Sequence, residues 1–298
     1  MDRFQIKHIP TLLKDTYKAW DKNNPFRLSA VVAYYAVLSL PALLVIIVNV
    51  VGSIWGPDII ENILTSEFSA ALGKDAASSI KSMITESSTE KRGTMATIMG
   101  IGTLLYGATG LFYQLQLALN DVWEVEPDPN AKWWKLLFDR ARSFTFILVI
   151  GFLLLISFVL TAGISALKDY IGRNLTETYE VMMYSLDILV SLGIITLLFA
   201  LMFKFLPDAN VKWRTVRVGA FVTAVLFVIG KFVLGYYFGE TDPGSTYGAA
   251  GTIILIMLWA SYSSLILFFG AEFTYVYAKR YGSGIEPQHI AKKKESEV

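Results

Sequence analysis

The sequence predicts an all-α membrane protein: a six-transmembrane-helix bundle with an N-terminal interfacial helix and an amphipathic helical outer loop. Of its 298 residues, 54% are hydrophobic and only 17% are charged, whereas soluble domains contain about 25% charged residues. The charges cluster between long apolar runs, and about 20 apolar residues suffice for a helix to cross the hydrocarbon layer. The six runs of this kind lie at about 29–53, 94–119, 143–167, 186–206, 218–239 and 252–278.

Positive charges alternate from one side of the predicted spans to the other. Nineteen of the 26 Lys and Arg residues fall in the two end segments, in the loops after the second and fourth spans, or, for Lys204, at the inner end of the fourth span. Six fall in the other loops, and Lys231 lies within a span. Because cytoplasmic loops carry the excess of Lys and Arg, we expect both ends of the chain in the cytoplasm.

The segment 1–28 is predicted to be a cytoplasmic amphipathic segment with a helix from Ile9 to Trp20. One helix face carries apolar side chains and another carries lysines: Ile9, Leu13, Tyr17 and Trp20 against Lys14, Lys18 and Lys22. This pattern is typical of a helix that lies in the headgroup region, with its lysines toward anionic lipid. A cytoplasmic helix packed on the bundle has the same pattern, so both interpretations stay open.

The loop 58–92, after the first span, has apolar residues at every fourth position: Ile60, Leu64, Phe68, Leu72, Ala76, Ile80 and Ile84. This spacing predicts one amphipathic helix, or two helices that break near Gly73. On the outer face, such a segment would either cap a cavity or shield the ends of the spans.

The segment 279–298 is a polar tail rich in lysine. Segments of this composition contain too little apolar surface to fold by themselves. We therefore predict that residues 282–298 of this basic cytoplasmic tail are disordered and that the charges of the tail only set the topology.

Two ionisable residues, Lys231 and Glu272, lie inside predicted spans. A charge within the bilayer costs about 2.5–3.5 kcal/mol on insertion scales and marks a candidate functional site. We expect both side chains to face the bundle interior, where partners or water are available. On straight helices, Lys231 is roughly 20 Å and Glu272 roughly 9 Å from the cytoplasmic ends of their spans.

Several partners are open to these two charges. A direct ion pair would require the lysine stem to bridge a depth difference of about 11 Å. Otherwise Glu272 would meet a cation near the inner surface, and Lys231 would extend outward toward Glu240 or water. The inner cations within reach are Arg140, Arg142, Lys204 and Arg217. A salt bridge that only locks the bundle is the structural alternative.

Polar residues near the inner end of the second span extend the candidate intramembrane site. Gln114 and Asn120 lie there, and Gln116 lies between them. Pro41 sits in the middle of the first span and lacks a backbone donor, so we predict a kink at this position.

The sequence contains few residues that support catalysis. There is no cysteine, and the histidines are His8 and His289, one in each polar end segment. A metal-dependent hydrolase needs His, Cys or carboxylate ligands that converge, and no phosphate-binding G-x-x-x-x-G-K-[ST] motif is present. The net charge of +1 does not favour a nucleic-acid partner. We therefore expect no enzyme activity, no metal and no cofactor.

The order of five short motifs resembles that of the YihY/BrkB family of bacterial inner-membrane proteins. The motifs are AYYAVLSLP at 33–41, QLALNDVW at 116–123, YGAAG at 247–251, LW at 258–259 and GAE at 270–272. The resemblance implies a six-helix, multi-pass protein of the bacterial plasma membrane. It also implies that the family's former label, the tRNA-processing ribonuclease BN, is a misassignment, and that the envelope and lipid export are the relevant context.

These observations lead to two functional hypotheses. The first is a transporter or flippase-like protein for an amphiphilic or lipid-linked envelope molecule. In that hypothesis the Lys231 cation contacts the phosphate or carboxylate of an anionic lipid or lipid-linked substrate. The alternative is a non-catalytic membrane scaffold for envelope proteins or lipids. A polar path to Lys231 favours the first hypothesis, and a dry, fully packed bundle favours the second.

Overall fold

The computed structural model of the chain describes residues 5–89, 109–127, 177–241, 250–288 and 291–293, together with the single positions 145, 149, 153, 243 and 247. Apart from three of those single positions, the predicted third span at 143–167 lies outside the described residues. The same holds for the first part of the second span. That the chain has six spans therefore stays a prediction.

The described chain is predominantly helical. Its helices are α1 (Ile9–Lys22), α2 (Pro25–Trp55), α3 (Pro57–Leu72), α4 (Lys74–Thr89), α5 (described over 109–122), α6 (Glu177–Phe205), α7 (Trp213–Thr241) and α8 (Gly251–Tyr281). A single 3₁₀ turn, Ile6–His8, precedes α1.

Three of these helices are long and apolar enough to cross a membrane. The qualifying segments are Ile188–Phe205 of α6, Trp213–Phe238 of α7 and Gly251–Tyr281 of α8. They coincide with the fourth, fifth and sixth predicted spans. The first predicted span lies in α2, a helix of 31 residues, which is about 46 Å long. Pro41 lies inside this continuous helix, and the predicted kink at that position stays a prediction.

Helices α7 and α8 cross at two glycines that leave room for threonines of the other helix. A Cβ atom on Gly219 would lie 1.8 Å from Thr274 Oγ1, and one on Gly270 would lie 1.8 Å from Thr223 Oγ1. Each threonine hydroxyl donates a hydrogen bond to the glycine carbonyl four residues earlier on its own helix, at 2.7 Å. Small residues that allow close backbone approach stabilise helix pairs in membranes through packing.

The outer loop consists of two helices rather than one. Helix α3 ends at Gly73, which has a φ of +90°, a backbone conformation that glycine adopts without a Cβ penalty. The predicted apolar positions form the buried face of this α3–α4 hairpin: Ile60, Leu64, Ala76, Ile80 and Ile84. The hairpin packs on α2, α7 and α8, so it covers the ends of these helices.

The predicted disorder of the tail is wrong for its first part. Two short antiparallel sheets join the tail to loops of the bundle. Strand β1 (Val125–Pro127) pairs with β4 (Ala291–Lys293), and β2 (Ala209–Asn210) pairs with β3 (Glu286–Pro287). The composition of the tail does not reveal this structure because the stabilising hydrogen bonds come from the backbone of both partners.

Candidate functional site

A cavity of about 390 Å³ lies between α1, the turn after α5 and the last three turns of α8. Six charged residues line it: Asp15, Lys22, Glu124, Glu272, Lys279 and Arg280. Among them Glu272 is buried, whereas Lys22, Glu124 and Lys279 are exposed. The cavity therefore joins a buried carboxylate to a charged, accessible rim.

Helix α1 forms one wall because it packs directly on α8. Its Leu12 and Thr16 are buried, and the Trp20 Nε1–H donates a hydrogen bond to the Leu265 carbonyl at 3.3 Å. The apolar residues Ile9, Leu13 and Tyr17 remain exposed. The segment thus packs on the bundle, as one of the two interpretations predicted, and contact of its exposed apolar residues with lipid stays a prediction.

Glu272 is buried with 1% of its surface exposed, as expected for a carboxylate that faces the bundle interior. The Asn23 side-chain amide, at the end of α1, donates a hydrogen bond to Glu272 Oε1. No basic residue in the described part of the chain forms an ion pair with Glu272. Lys204, one of its predicted partners, instead donates to the Val211 carbonyl at 2.7 Å. Arg140 and Arg142 lie outside the described residues.

A second carboxylate, Glu124, enters the cavity from the turn after α5. Its backbone has a left-handed φ of 54°, and the Tyr275 hydroxyl donates to Glu124 Oε2 at 2.7 Å. The neighbouring Trp123 fixes this turn to α8, because its buried Nε1–H donates to the Ala271 carbonyl at 3.1 Å. Glu124 was not among the predicted site residues, although the tryptophan that fixes its turn is the last residue of the QLALNDVW motif.

The cations of the cavity lie on α1 and on the last turn of α8. Arg280 contacts Asp15 at 3.6 Å, and Lys279 Nζ lies 5.8 Å from the centre of the Tyr275 ring. The third cation, Lys22, is exposed. The cavity thus has three carboxylates and three cations, so its formal charge is balanced.

A separate buried polar network holds the loop between α6 and α7. Asp208, only 1% exposed, accepts hydrogen bonds from Asn120 Nδ2 at 3.0 Å and from Gln116 Nε2 at 3.2 Å. The Asp208 backbone N–H donates to Asn120 Oδ1 at 2.8 Å. Of the predicted polar residues, Asn120 therefore belongs to a structural network. Gln114 is half-buried and is not among the residues that bond Asp208.

The side chain of Lys231 is exposed, and its predicted orientation toward the bundle interior stays a prediction, because most of the predicted third span lies outside the described residues. The preceding residue, Gly230, is the one that meets α8: a Cβ atom there would lie 2.6 Å from Ile266 Cδ1. Successive residues of a helix are rotated by about 100°, so Lys231 points away from that contact. Phe232 and Val233, next in the chain, are also exposed.

Long apolar helices and the amphipathic α1 define the class of an α-helical integral membrane protein. Within that class, the chain belongs to the family described as Virulence factor BrkB, whose model matches residues 16–295.

Several relatives carry membrane-protein names. A UPF0761 membrane protein of Tolumonas auensis is 30% identical over 62% of this chain and 58% of its own length. Another, of Idiomarina loihiensis, is 27% identical over 60% of each chain. The putative ribonuclease-like protein YfkH of Bacillus subtilis is 21% identical over 91% of this chain and 96% of its own length.

The match thus spans about three fifths of the length of the two UPF0761 relatives. No solved structure matches the chain. The names of these relatives identify membrane proteins without stating a substrate.

Proposed function

We propose that the protein is a transporter or flippase-like protein that moves an amphiphilic or lipid-linked envelope molecule across the plasma membrane. The exposed position of Lys231 carries the proposal. This lysine lies within Trp213–Phe238, a segment apolar enough to cross a membrane. It is about 27 Å from the first residue of α7 on a straight helix. An ionisable residue within a span marks a candidate functional site, and an ammonium group binds the phosphate or carboxylate of a headgroup.

The surroundings of Lys231 suit an amphiphile. The side chains of Phe232 and Tyr236 are 69% and 72% exposed. They offer apolar and aromatic surface beside the cation, so a headgroup and an acyl chain could be accommodated together. The chain contains no phosphate-binding loop, and no catalytic group takes part in this proposal: we propose a carrier rather than a ribonuclease.

The proposed topology places both ends of the chain in the cytoplasm of a bacterial cell. The excess of Lys and Arg in the two end segments supports their cytoplasmic location. In addition, Tyr281 Oη lies 2.9 Å from His8 Nδ1, so the segments before the first span and after the last lie at the same end of the bundle. Such an arrangement requires an even number of crossings, which supports six. Activity of an exterior-only reporter fused to either end would contradict this topology.

A lipid translocation assay tests the carrier directly. The protein is reconstituted into liposomes that contain fluorescent phosphatidylglycerol, a fluorescent polyprenyl phosphate or, as the neutral comparison, fluorescent phosphatidylcholine. The measured quantity is the rate at which label in the inner leaflet becomes accessible to an external quencher. We expect faster movement of one or both anionic lipids than of phosphatidylcholine.

The variants Lys231→Met and Lys231→Arg identify the role of the cation. We expect Lys231→Met to slow translocation at least about tenfold, since one charge-assisted contact is worth about 1.5–3 kcal/mol, and Lys231→Arg to retain the rate. Lys212→Met is the matched control, because Lys212 is an exposed lysine just before α7. Equal rates in Lys231→Met and the unmodified protein, or no acceleration by the protein, would contradict the carrier and favour the scaffold.

A further inference from the structure

We propose that the cavity between α1 and α8 is a binding site for a small dipolar ion, a molecule with a primary ammonium group beside a phosphate or carboxylate. The proposal does not depend on the transport activity, because it concerns binding at one end of the bundle. It rests on the separation of charge within the cavity and on the burial of Glu272.

The acidic half of the cavity suits an ammonium group. Glu272 is buried and, among the described residues, is contacted by the neutral amide of Asn23 rather than by a cation. A buried carboxylate without a counter-charge is unfavourable, so a cationic ligand would be stabilised there. Glu124 lines the same cavity, and the Tyr275 hydroxyl is bonded to it. An ammonium group has three donors, which is enough to contact both carboxylates.

The basic half suits an anion. Arg280 is already engaged by Asp15, which leaves Lys22 and Lys279 as the exposed cations of the rim. Lysine binds phosphate as a compact, flexible point charge. A ligand that spans both halves gains two charge-assisted contacts, whereas a simple cation or a simple anion gains one.

The faces of α1 indicate whether a water-soluble dipolar ion or a lipid headgroup can reach the cavity. Asp15, Ala19 and Lys22 face the cavity, whereas Ile9, Leu13 and Tyr17 form the exposed apolar face. At 3.6 residues per turn, the centres of the two faces are about 150° apart around the helix. Because the apolar face is the one suited to acyl chains, the cavity faces the aqueous side. We therefore favour a water-soluble dipolar ion over the headgroup of phosphatidylethanolamine.

Calorimetric titration of the full-length protein tests this site. The protein is placed in nanodiscs of phosphatidylcholine and phosphatidylglycerol, and O-phosphoethanolamine is the probe. We expect saturable binding of the probe. Ethanolamine alone and inorganic phosphate alone should each bind at least about tenfold more weakly, because each retains only one of the two charge-assisted contacts.

Three variants separate the site from general effects of charge. Glu272→Gln and Glu124→Gln should each weaken binding of O-phosphoethanolamine by about tenfold. Glu240→Gln, the same change at an exposed position near the end of α7, should leave binding unchanged. Glu124 is exposed, so its variant tests the site even if Glu272→Gln fails to fold.

The lipid composition of the nanodisc distinguishes a soluble ligand from a lipid headgroup. If the affinity for the probe is unchanged when phosphatidylethanolamine is included, the ligand is a soluble molecule. If phosphatidylethanolamine competes with the probe, the dipolar site stands and the ligand is a lipid headgroup. Absence of saturable binding by the unmodified protein, or equal binding by Glu124→Gln, would overturn the proposal. Neither result would affect the translocation assay, which depends on Lys231.

Discussion

Helices α6 and α7 are each more deeply buried near one end than near the other. Their loop end, where residues 206–212 connect them, contains fully buried side chains: Phe203, Leu206, Val216, Ala220 and Ala224, all 0% exposed. Their far end carries large exposed side chains: Leu189 at 64%, Phe232 at 69% and Tyr236 at 72%. The same two helices therefore have two different environments along their length.

The difference shows where stability comes from in this fold. At the loop end, side chains pack tightly and a buried hydrogen-bond network holds the connection. At the far end, apolar side chains face outward, and lipid chains are as apolar as the side chains themselves, so burial provides little additional driving force. Substitutions should therefore have large effects at the loop end and small effects at the far end.

The largest effect is expected for Asp208→Ala at the loop end. The substitution leaves the buried amides of Gln116 and Asn120 without their acceptor, and each unsatisfied group costs about 1–3 kcal/mol. We expect the free energy of unfolding in mixed micelles, measured by denaturant titration, to fall by about 2–5 kcal/mol. Asp21→Ala, at an exposed position, is the control, and a similar loss in both variants would contradict the assignment.

The next effect is expected where α7 and α8 cross. Gly219→Ala places a methyl group against Thr274, and overpacking of this kind costs about 1–3 kcal/mol. In the same unfolding titration, the double variant Gly219→Ala, Thr274→Gly should recover part of this loss because the clash is removed. If Gly219→Ala alone is as stable as the unmodified protein, the two helices can move apart without a loss of stability.

A smaller effect is expected for Trp123→Phe. The substitution removes the hydrogen bond from Nε1 to the Ala271 carbonyl but retains most of the aromatic packing. The expected loss is about 1 kcal/mol, the typical net value of one hydrogen bond. Because this bond positions the turn that carries Glu124, the affinity for O-phosphoethanolamine should fall as well. A stable variant with unchanged affinity would mean that the turn is positioned by other contacts.

The smallest effect is expected at the far end. Leu189 is 64% exposed, and exposed substitutions usually change stability by less than about 0.5 kcal/mol. Leu189→Ala should therefore unfold like the unmodified protein, within that margin. A loss above about 2 kcal/mol, typical of a buried leucine, would show that this surface is covered by protein rather than lipid.

Local patterns in the sequence correctly predicted the elements that they specify. Three of the six predicted spans coincide with helices able to cross a membrane, the spacing in the outer loop included a break near Gly73 among its alternatives, and the intramembrane position of Glu272 predicted its burial. Each of these features depends on residues close together in the chain.

The features that were missed depend on residues far apart in the chain. Asp208 bonds Asn120 from 88 positions away, and Tyr275 bonds Glu124 across 151. No local pattern indicates which distant partner a loop carboxylate meets. The crossing of α7 and α8 was also missed, although the small residues of Gly219–Thr223 and Gly270–Thr274 recur at the helical spacing of four.

The strands of the tail have a consequence for the maturation of the protein. Because β3 and β4 follow all the described helices in the chain, β1 and β2 remain unpaired until the ribosome has made all of these helices. Both sheets can close only if both loops and the tail are on one side of the membrane. A chain that leaves one span uninserted separates them, and its open strand edges are then exposed to proteases that remove defective chains. Pairing of the five strand residues of the tail therefore depends on correct insertion of the whole bundle.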